Sequence, residues 1–200
     1  MSDAPVSEIV PRDEVYHLTL DSYFPKRVPS SDPLRVLVPA CGAFSEADVL
    51  ANFLYERVQK PVAITAFDND PKLVADAQRT LQRDIENCTF VVQVGDINNY
   101  ANLLDGSIDA IVCRHPNLTD KINWKDFFKD ARSHLAPDAV VFATCYERWE
   151  ADMLNGQLTG DLYTTFPIMK SNHAHFFPDQ KSRSDGYIVI ARFSKTTTAR

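Results

Sequence analysis

The stretch Arg35–Leu50, RVLVPACGAFSEADVL, decides the fold. Its first half, extended backwards by Leu34, is an apolar, β-branched run of the length expected for a strand buried on both faces. Its second half changes period. Ala47, Leu50, Phe53, Leu54 and Val58 recur at helical spacing and form an apolar stripe. Ser45, with Asp48 three residues on, reads as the cap and capping-box partner that start this helix. Between strand and helix lies a turn, Pro39 to Phe44, holding a single glycine, Gly42. A backbone that approaches a ligand closely favours glycine, because a Cβ would collide. Taken alone, this turn reads equally well as a cofactor loop and as a plain structural turn.

Outward from this stretch the pattern repeats. VAITAF is a second strand, and Asp70-Pro71 is a strong helix start, a cap followed by proline at the first helical position. TFVVQV and IDAIVC are strands three and four. A helix carrying Trp124, Phe127, Phe128, Ala131 and Leu135 on one face leads to strand five, AVVFATC. YERWEADMLNGQL reads as a further helix. Two extended segments, about 168–177 and 187–193, close the chain and leave no room for a helix between them, so they are expected to pair antiparallel. Alternating strands and helices predict an α/β fold: a doubly wound, mostly parallel, seven-stranded sheet with a C-terminal antiparallel hairpin and helices on both faces. Residues 1–32, with four prolines and the aromatics Tyr16, Tyr23 and Phe24, read as a helical lid segment. Residues 33–194 form the domain proper and 195–200 a polar tail.

Composition bounds the function. The chain has 200 residues, 44% hydrophobic and 24% charged, enough for one well-filled domain. Its formal charge of −6 argues against broad contact with nucleic-acid phosphates. Lys121, Lys125, Lys129 and Arg132 read as a solvated helix face. There is no apolar signal core and no run near the roughly 20 residues that span a bilayer, so a cytoplasmic location with no membrane partner is expected. Cys41, Cys88, Cys113 and Cys145 include no CxxC pair and read as reduced thiols. Cys41, Cys113 and Cys145 fall at strand ends, where they read as small packing residues, and no metal is expected there or at His173 and His175.

In doubly wound sheets ligands bind at the carboxyl ends of the strands, where the winding reverses. Each strand here ends in a polar element. Strand one ends in Pro39-Ala40-Cys41-Gly42-Ala43. Strand two ends in Asp68-Asn69, an acid placed to accept both hydroxyls of a ribose. Strand three ends in Gly95-Asp96-Ile97, an acceptor for an exocyclic amine beside an apolar cover. Strand four ends in Cys113-Arg114-His115, and His115 is a candidate general base near neutral pH.

With these residues in view, the chain from about Leu34 to Phe193 resembles the class I S-adenosylmethionine-dependent methyltransferases. GDINNYANLLDGSIDAIVCRH looks like that family's approach to strand four. FFKDARSHLAPDAVVFAT looks like its helix, structural turn and strand five, and DGYIVIARF like its terminal antiparallel strand. The resemblance implies S-adenosyl-L-methionine as cofactor. It implies Pro39, Ala40, Cys41, Gly42 and Ala43 around the methionine part, Asp68 with Asn69 on the ribose, Asp96 and Ile97 on adenine, and Cys113 and Arg114 facing the transferred methyl. The first loop departs from the usual DLGCGTG: Val38 stands for the acid, and Ala40 and Phe44 stand for glycines, a VPxCG version similar to that of thiopurine-methyltransferase-like proteins. Asp138 and Ala139 replace paired glycines in the turn before strand five. Phe44 either narrows the loop or packs beneath the helix.

The expected activity is in-line methyl transfer to a small-molecule acceptor, with Tyr16, Tyr23, Phe24, Trp149 and His173 lining the acceptor pocket in a monomer or homodimer. The alternatives are an RNA or protein methyltransferase and a non-catalytic scaffold that kept the fold. A nicotinamide-dependent dehydrogenase is excluded because no GxGxxG follows strand one.

Overall fold

The structure, a computed structural model, describes residues 12–29, 31–81, 85–98, 100, 106–118, 124–158, 163–173 and 185–194. The expected polar tail at 195–200, the first eleven residues of the expected lid and His175 lie outside the described residues.

Strand β1 (Leu34–Pro39) is flanked on both sides by parallel neighbours, β2 (Val62–Asp68) and β4 (Ile108–Arg114). This central position is why its side chains are apolar on both faces. Beyond β2 lies β3 (Cys88–Val94), and beyond β4 lies β5 (Leu135–Cys145), both parallel to their neighbours. The chain thus winds outward from β1 in both directions, and the reversal falls between β1 and β4. Strand β8 (Tyr187–Phe193) pairs antiparallel with β5.

Helices cover both faces, and side chains alternate between them along each strand. Leu37, Ile111, Val141 and Val189 face a core with α4 (Trp124–Ala131) and α5 (Arg148–Leu158). Val36, Val38, Ala110, Val112 and Phe142 face a second core with α1 (Arg12–Tyr23), α2 (Ala47–Val58) and α3 (Pro71–Thr80). Asp70 caps α3 as expected, accepting from Lys72 N at 2.8 Å, with Pro71 at its first position. The α4 stripe is seen as read: Trp124, Phe127, Phe128 and Ala131 are all buried, and the Trp124 indole donates to the Asn117 carbonyl at 2.9 Å. Asp109 of β4 is fully buried, and it accepts from Arg35 N at 2.8 Å and from the Ser31 hydroxyl. Pairing of this kind offsets the cost of burying a carboxylate.

Two expectations are corrected. Ser45 does not cap α2. The helix starts at Ala47 behind Glu46, which makes no side-chain cap bond, and the Ser45 hydroxyl donates to the Glu46 carboxylate instead. The preceding turn already supplies a backbone bond, Ala47 N to Phe44 O at 3.2 Å, so the chain enters the helix later than the capping pattern suggested. The sheet keeps the expected doubly wound, mostly parallel form, but among the described residues it has eight strands in seven positions rather than seven strands. The outer neighbour of β8 comes in two pieces, β6 (Tyr163–Thr165) and β7 (Met169–Lys170), both antiparallel to it. Pro167 lies at the break, where a residue without an N–H cannot continue the ladder.

Replacing Trp124 by Ala removes the largest fully buried side chain and its hydrogen bond. The expected loss is about 3–5 kcal/mol, read as the fall in urea midpoint at unchanged slope.

Candidate active site at the carboxyl edge of the sheet

The loop after β1 adopts the conformation that glycines would favour, mostly without them. Ala40, Gly42 and Phe44 all have positive φ, at 51°, 58° and 48°. For non-glycine residues such backbone is strained, by about 1–3 kcal/mol each, and persists only where the surroundings hold it. The anchors are visible. Cys41 N donates to Phe67 O at 3.0 Å, and Gly42 N donates to Asp68 Oδ2 at 2.9 Å. Phe44 is buried, its ring edge-on to Phe90 at 6.3 Å, in the core beneath α2. Of the two courses open to Phe44, it takes the second and leaves the crevice clear.

Asp68 is the hub of this edge. Its Oδ1 accepts from Asp70 N at 2.9 Å, and its own carbonyl accepts from Gly95 N at 2.9 Å. One residue at the end of β2 thereby ties together the loops after β1, β2 and β3. The carboxylate still has lone pairs beyond these two bonds with which to accept ligand hydroxyls.

Beside it lies a crevice of about 170 Å³ lined by Ala40, Asp68, Asn69, Asp96 and Ile97, with Phe67 and Asn98 completing the wall. Five of the residues read from sequence as cofactor contacts therefore share one cavity. Asp96 is held in place by Asn98, whose backbone N and side-chain amide both donate to its Oδ1 at 2.8 Å. A Cβ built on Gly42 would meet nothing within 4 Å, so the loop faces open space rather than packed protein. Acceptors for hydroxyls, an acceptor for an amine, an apolar cover and a loop with free approach fit an adenosyl group. The thiols nearby are not nucleophiles: burial, with the Asp68 charge adding, pushes Cys41 up to about 12, and burial raises Cys113 and Cys145 as well.

Across β1 from Asp68, the end of β4 carries a second cluster. The Arg114 guanidinium donates to both oxygens of Asp185, from Nη2 at 3.0 Å and Nε at 3.3 Å, and lies 3.4 Å from Glu46. Its other side stacks on Tyr16 of α1 at 4.4 Å. Burial alone would lower the Arg114 pKa, but Asp185 and Glu46 hold it above its ordinary value. Burial alone would raise Asp185, yet the His115 hydrogen bond and the Arg114 charge hold it well below the carboxylate range. Burial also raises Tyr16, which stays a phenol. His115 has φ 50° and stacks on Tyr146 at 3.7 Å. Its Nε2 accepts from Asp185 N at 3.1 Å and lies 3.2 Å from Asp185 Oδ1. Unprotonated, Nε2 accepts the first contact; carrying a proton, it donates to the carboxylate in the second, so Asp185 orients the ring in either tautomer.

The remaining sequence-derived candidates are placed elsewhere. Pro39 is buried at the end of β1. Phe24 packs in the core against Phe53 and Phe142. The Tyr23 hydroxyl accepts from Asn172 N at 2.9 Å, and His173 Nε2 lies 2.8 Å from the Ser22 hydroxyl. Trp149 stands 54% exposed on α5. Of the five proposed acceptor-pocket residues, Tyr16 alone joins the Arg114 cluster. Asp185, Glu46 and Tyr146 were not anticipated. Asp185 opens the terminal DGYIVIARF strand, so an acid at that point was the available signal.

Two outcomes follow. Ala40→Gly relieves left-handed strain and is expected to raise stability by up to about 1 kcal/mol in urea titration. Asp185→Asn leaves Arg114 buried with its strongest partner gone and is expected to cost about 3–5 kcal/mol. Because Asp185 has a depressed folded-state pKa, its contribution is complete above the unfolded carboxyl value of about 4 and is lost as pH falls toward the folded value. Stability of Asp185→Asn is therefore expected to fall less steeply below pH 4 than that of the parent.

Comparison with known proteins agrees with this geometry. Residues 40–138 match a family described as "Methyltransferase domain". A curated polyamine aminopropyltransferase from Chromobacterium violaceum is 29% identical over 126 residues, 62% of this chain and 45% of the relative, so the match spans less than half of that protein's length. Among solved structures, a precorrin-6y C5,15-methyltransferase from Geobacter metallireducens superposes with TM-score 0.65 at 13% identity, covering 96% of this chain and 94% of that one. An S-adenosylmethionine-dependent O-methyltransferase from Thermotoga maritima gives 0.58 at 14%, covering 94% and 67%. An rRNA methylase from Streptococcus thermophilus gives 0.56 at 13%, covering 94% and 100%. These structural likenesses show the fold of class I methyltransferases, and residues 40–138 match a methyltransferase domain, which implies S-adenosylmethionine as the methyl donor.

Proposed function

We propose that the chain methylates a small-molecule acceptor presented between the adenosyl crevice and the Arg114–Asp185 cluster. The observation that carries this reading is the cluster at the end of β4. Tyr16 from α1, together with Glu46, Arg114, His115, Tyr146 and Asp185, forms a mostly buried, charge-paired group one strand across β1 from Asp68. Oriented polar groups held in so little solvent suit a compact acceptor. A net charge of −6 disfavours a polyanionic one, although rRNA methylases share the fold. In this reading residues 33–194 are the catalytic unit and the N-terminal segment contributes a wall through Tyr16. In this reading the protein works in the cytoplasm. Among the described residues no helix is long and apolar enough to cross a membrane.

S-adenosylmethionine supplies a methyl group already activated on a sulfonium. The protein's part is then positioning and exclusion of water, effects that together contribute up to about 10 kcal/mol. Asp68 and Asn69 would hold the ribose, Asp96 and Ile97 the adenine, and the Ala40–Ala43 backbone would lie along the methionine arm. Glu46 and Asp185 give the methyl end a negative bias that suits a cationic sulfonium. With Asp185 against its Nε2, His115 has Nδ1 left to accept a proton from acceptors that must lose one.

A second reading rests on the aminopropyltransferase relative: transfer of an aminopropyl group to an amine. Incubation with S-adenosylmethionine, and in parallel with its decarboxylated form as the aminopropyl donor, in the presence of pooled metabolites or polyamines, followed by mass spectrometry, separates the two. A gain of 14 Da on a small molecule (the mass of the added CH2) is the expected product. An aminopropylated polyamine would favour the second reading, and labelling of added RNA alone would overturn the small-molecule acceptor.

Asp68→Ala and Asp96→Ala are each expected to weaken S-adenosylmethionine at least tenfold in calorimetry, about 1.4 kcal/mol or more. His115→Gln is expected to leave that affinity intact while lowering kcat about 100-fold.

A further inference from the structure

At the opposite edge of the sheet lies a larger cavity that the methyl-transfer chemistry does not use. It occupies about 840 Å³ where β1 begins at Leu34, where β5 passes Pro137 and Asp138, and where α2 ends. Five cationic side chains line it, Lys26, Arg27, Arg57, Lys60 and Arg192, against the single carboxylate of Asp138. In a chain with 27 acidic and 21 basic residues, this concentration runs against the overall sign. Like charges gathered in a concave site repel one another and raise the local concentration of anions.

Two of the cations, Arg192 and Arg57, are held in place. Arg192 donates from Nη1 to the Asp138 carbonyl at 3.1 Å and from Nη2 to the Arg27 carbonyl at 2.9 Å, which fixes the floor and the backbone of the Lys26–Arg27 rim. Arg57 lies over the Phe53 ring at 5.3 Å and reaches the Asp21 carbonyl only at 3.5 Å, while its Nε is buried with no hydrogen-bond partner. That guanidinium is positioned with donor capacity to spare, the state expected of an arginine awaiting an oxyanion. A second cleft of about 670 Å³ shares Lys26, Arg27, Arg57 and Arg192 and continues along Tyr23, Pro167 and Phe166, the last 42% exposed. Charge and apolar surface therefore meet along one wall.

We propose that these joined clefts bind a nucleotide-type ligand, its phosphates against the cations and its flat apolar body along Tyr23 and Phe166. The cations are confined to a cleft rather than drawn out as a stripe, which favours a free phosphorylated molecule over a polymer. The site lies across the sheet from Asp68 and does not depend on the identity of the methyl acceptor.

Calorimetry with ATP and with inorganic pyrophosphate tests this, in the presence of saturating S-adenosylhomocysteine so that the adenosyl crevice is filled. Both probes are expected to bind, with affinity falling as salt rises. Lys26→Glu/Arg27→Glu, and separately Lys60→Glu, are expected to weaken both probes at least tenfold. Phe166→Ala is expected to weaken ATP and spare pyrophosphate. All three variants should keep parental S-adenosylmethionine affinity and unfolding temperature, which separates a lost site from a lost fold. Absence of ATP heat at millimolar concentration, ATP affinity unchanged by charge reversal, or displacement of ATP by S-adenosylhomocysteine would overturn the proposal. Binding of a single-stranded RNA at this patch without binding of ATP would overturn it too and assign the surface to a polymer.

Discussion

The carboxylate of Asp68 is the constraint on which the site depends. It accepts the Gly42 and Asp70 amides, one on each oxygen, and its carbonyl accepts Gly95. Charge-assisted bonds to backbone N–H groups are among the stronger ones in a protein, and these join three consecutive strand ends. A loop poor in glycine could otherwise relax into a different turn. With Asp68 in place, Ala40 and Phe44 keep left-handed backbone, and the crevice keeps its opening. The acid that would meet a ribose is thus also the acid that shapes the pocket around it. Positioning of this kind, rather than a reactive side chain, is what an activated methyl donor requires of its protein.

A second constraint closes the other half of the site. Arg114, Asp185, Glu46, His115 and Tyr16 come from β4, the lead into β8, the loop before α2 and the N-terminal helix. No single pair among them would offset the desolvation of its charges, but the network gives each buried charge more than one partner. It also fixes the N-terminal helix against the catalytic edge, so that a segment outside the parallel sheet becomes a wall of the site.

Much of this architecture was legible before any coordinates. Apolar runs such as Leu34–Pro39 and the cap at Asp70-Pro71 are local signals, and local signals survive folding. That the polar Asp68, Asn69 and Asp96 and the apolar Ile97 would share one cavity was legible because strand ends in this topology converge on one edge. What escaped was either long-range or decided by competition. Asp185 meets His115 and Arg114 across about seventy residues of chain, and no spacing rule reports such a contact. Ser45 has the chemistry of a cap, yet the tight turn before it delivers the chain to the helix past the capping position. Phe24, read as a lid, is a core residue because Phe53 and Phe142 form its pocket. The course of Phe44 was undecidable from sequence, since it depends on Phe90 standing forty-six residues away beneath α2.

The account stands on a glycine-poor loop that nonetheless holds an adenosyl group. A crystal structure with S-adenosylhomocysteine tests it most directly. The account predicts the ribose hydroxyls on Asp68, adenine between Asp96 and Ile97, and Phe44 still seated against Phe90. A ligand bound elsewhere on the molecule, or Phe44 swung into the crevice with Asp68 uncontacted, would contradict it.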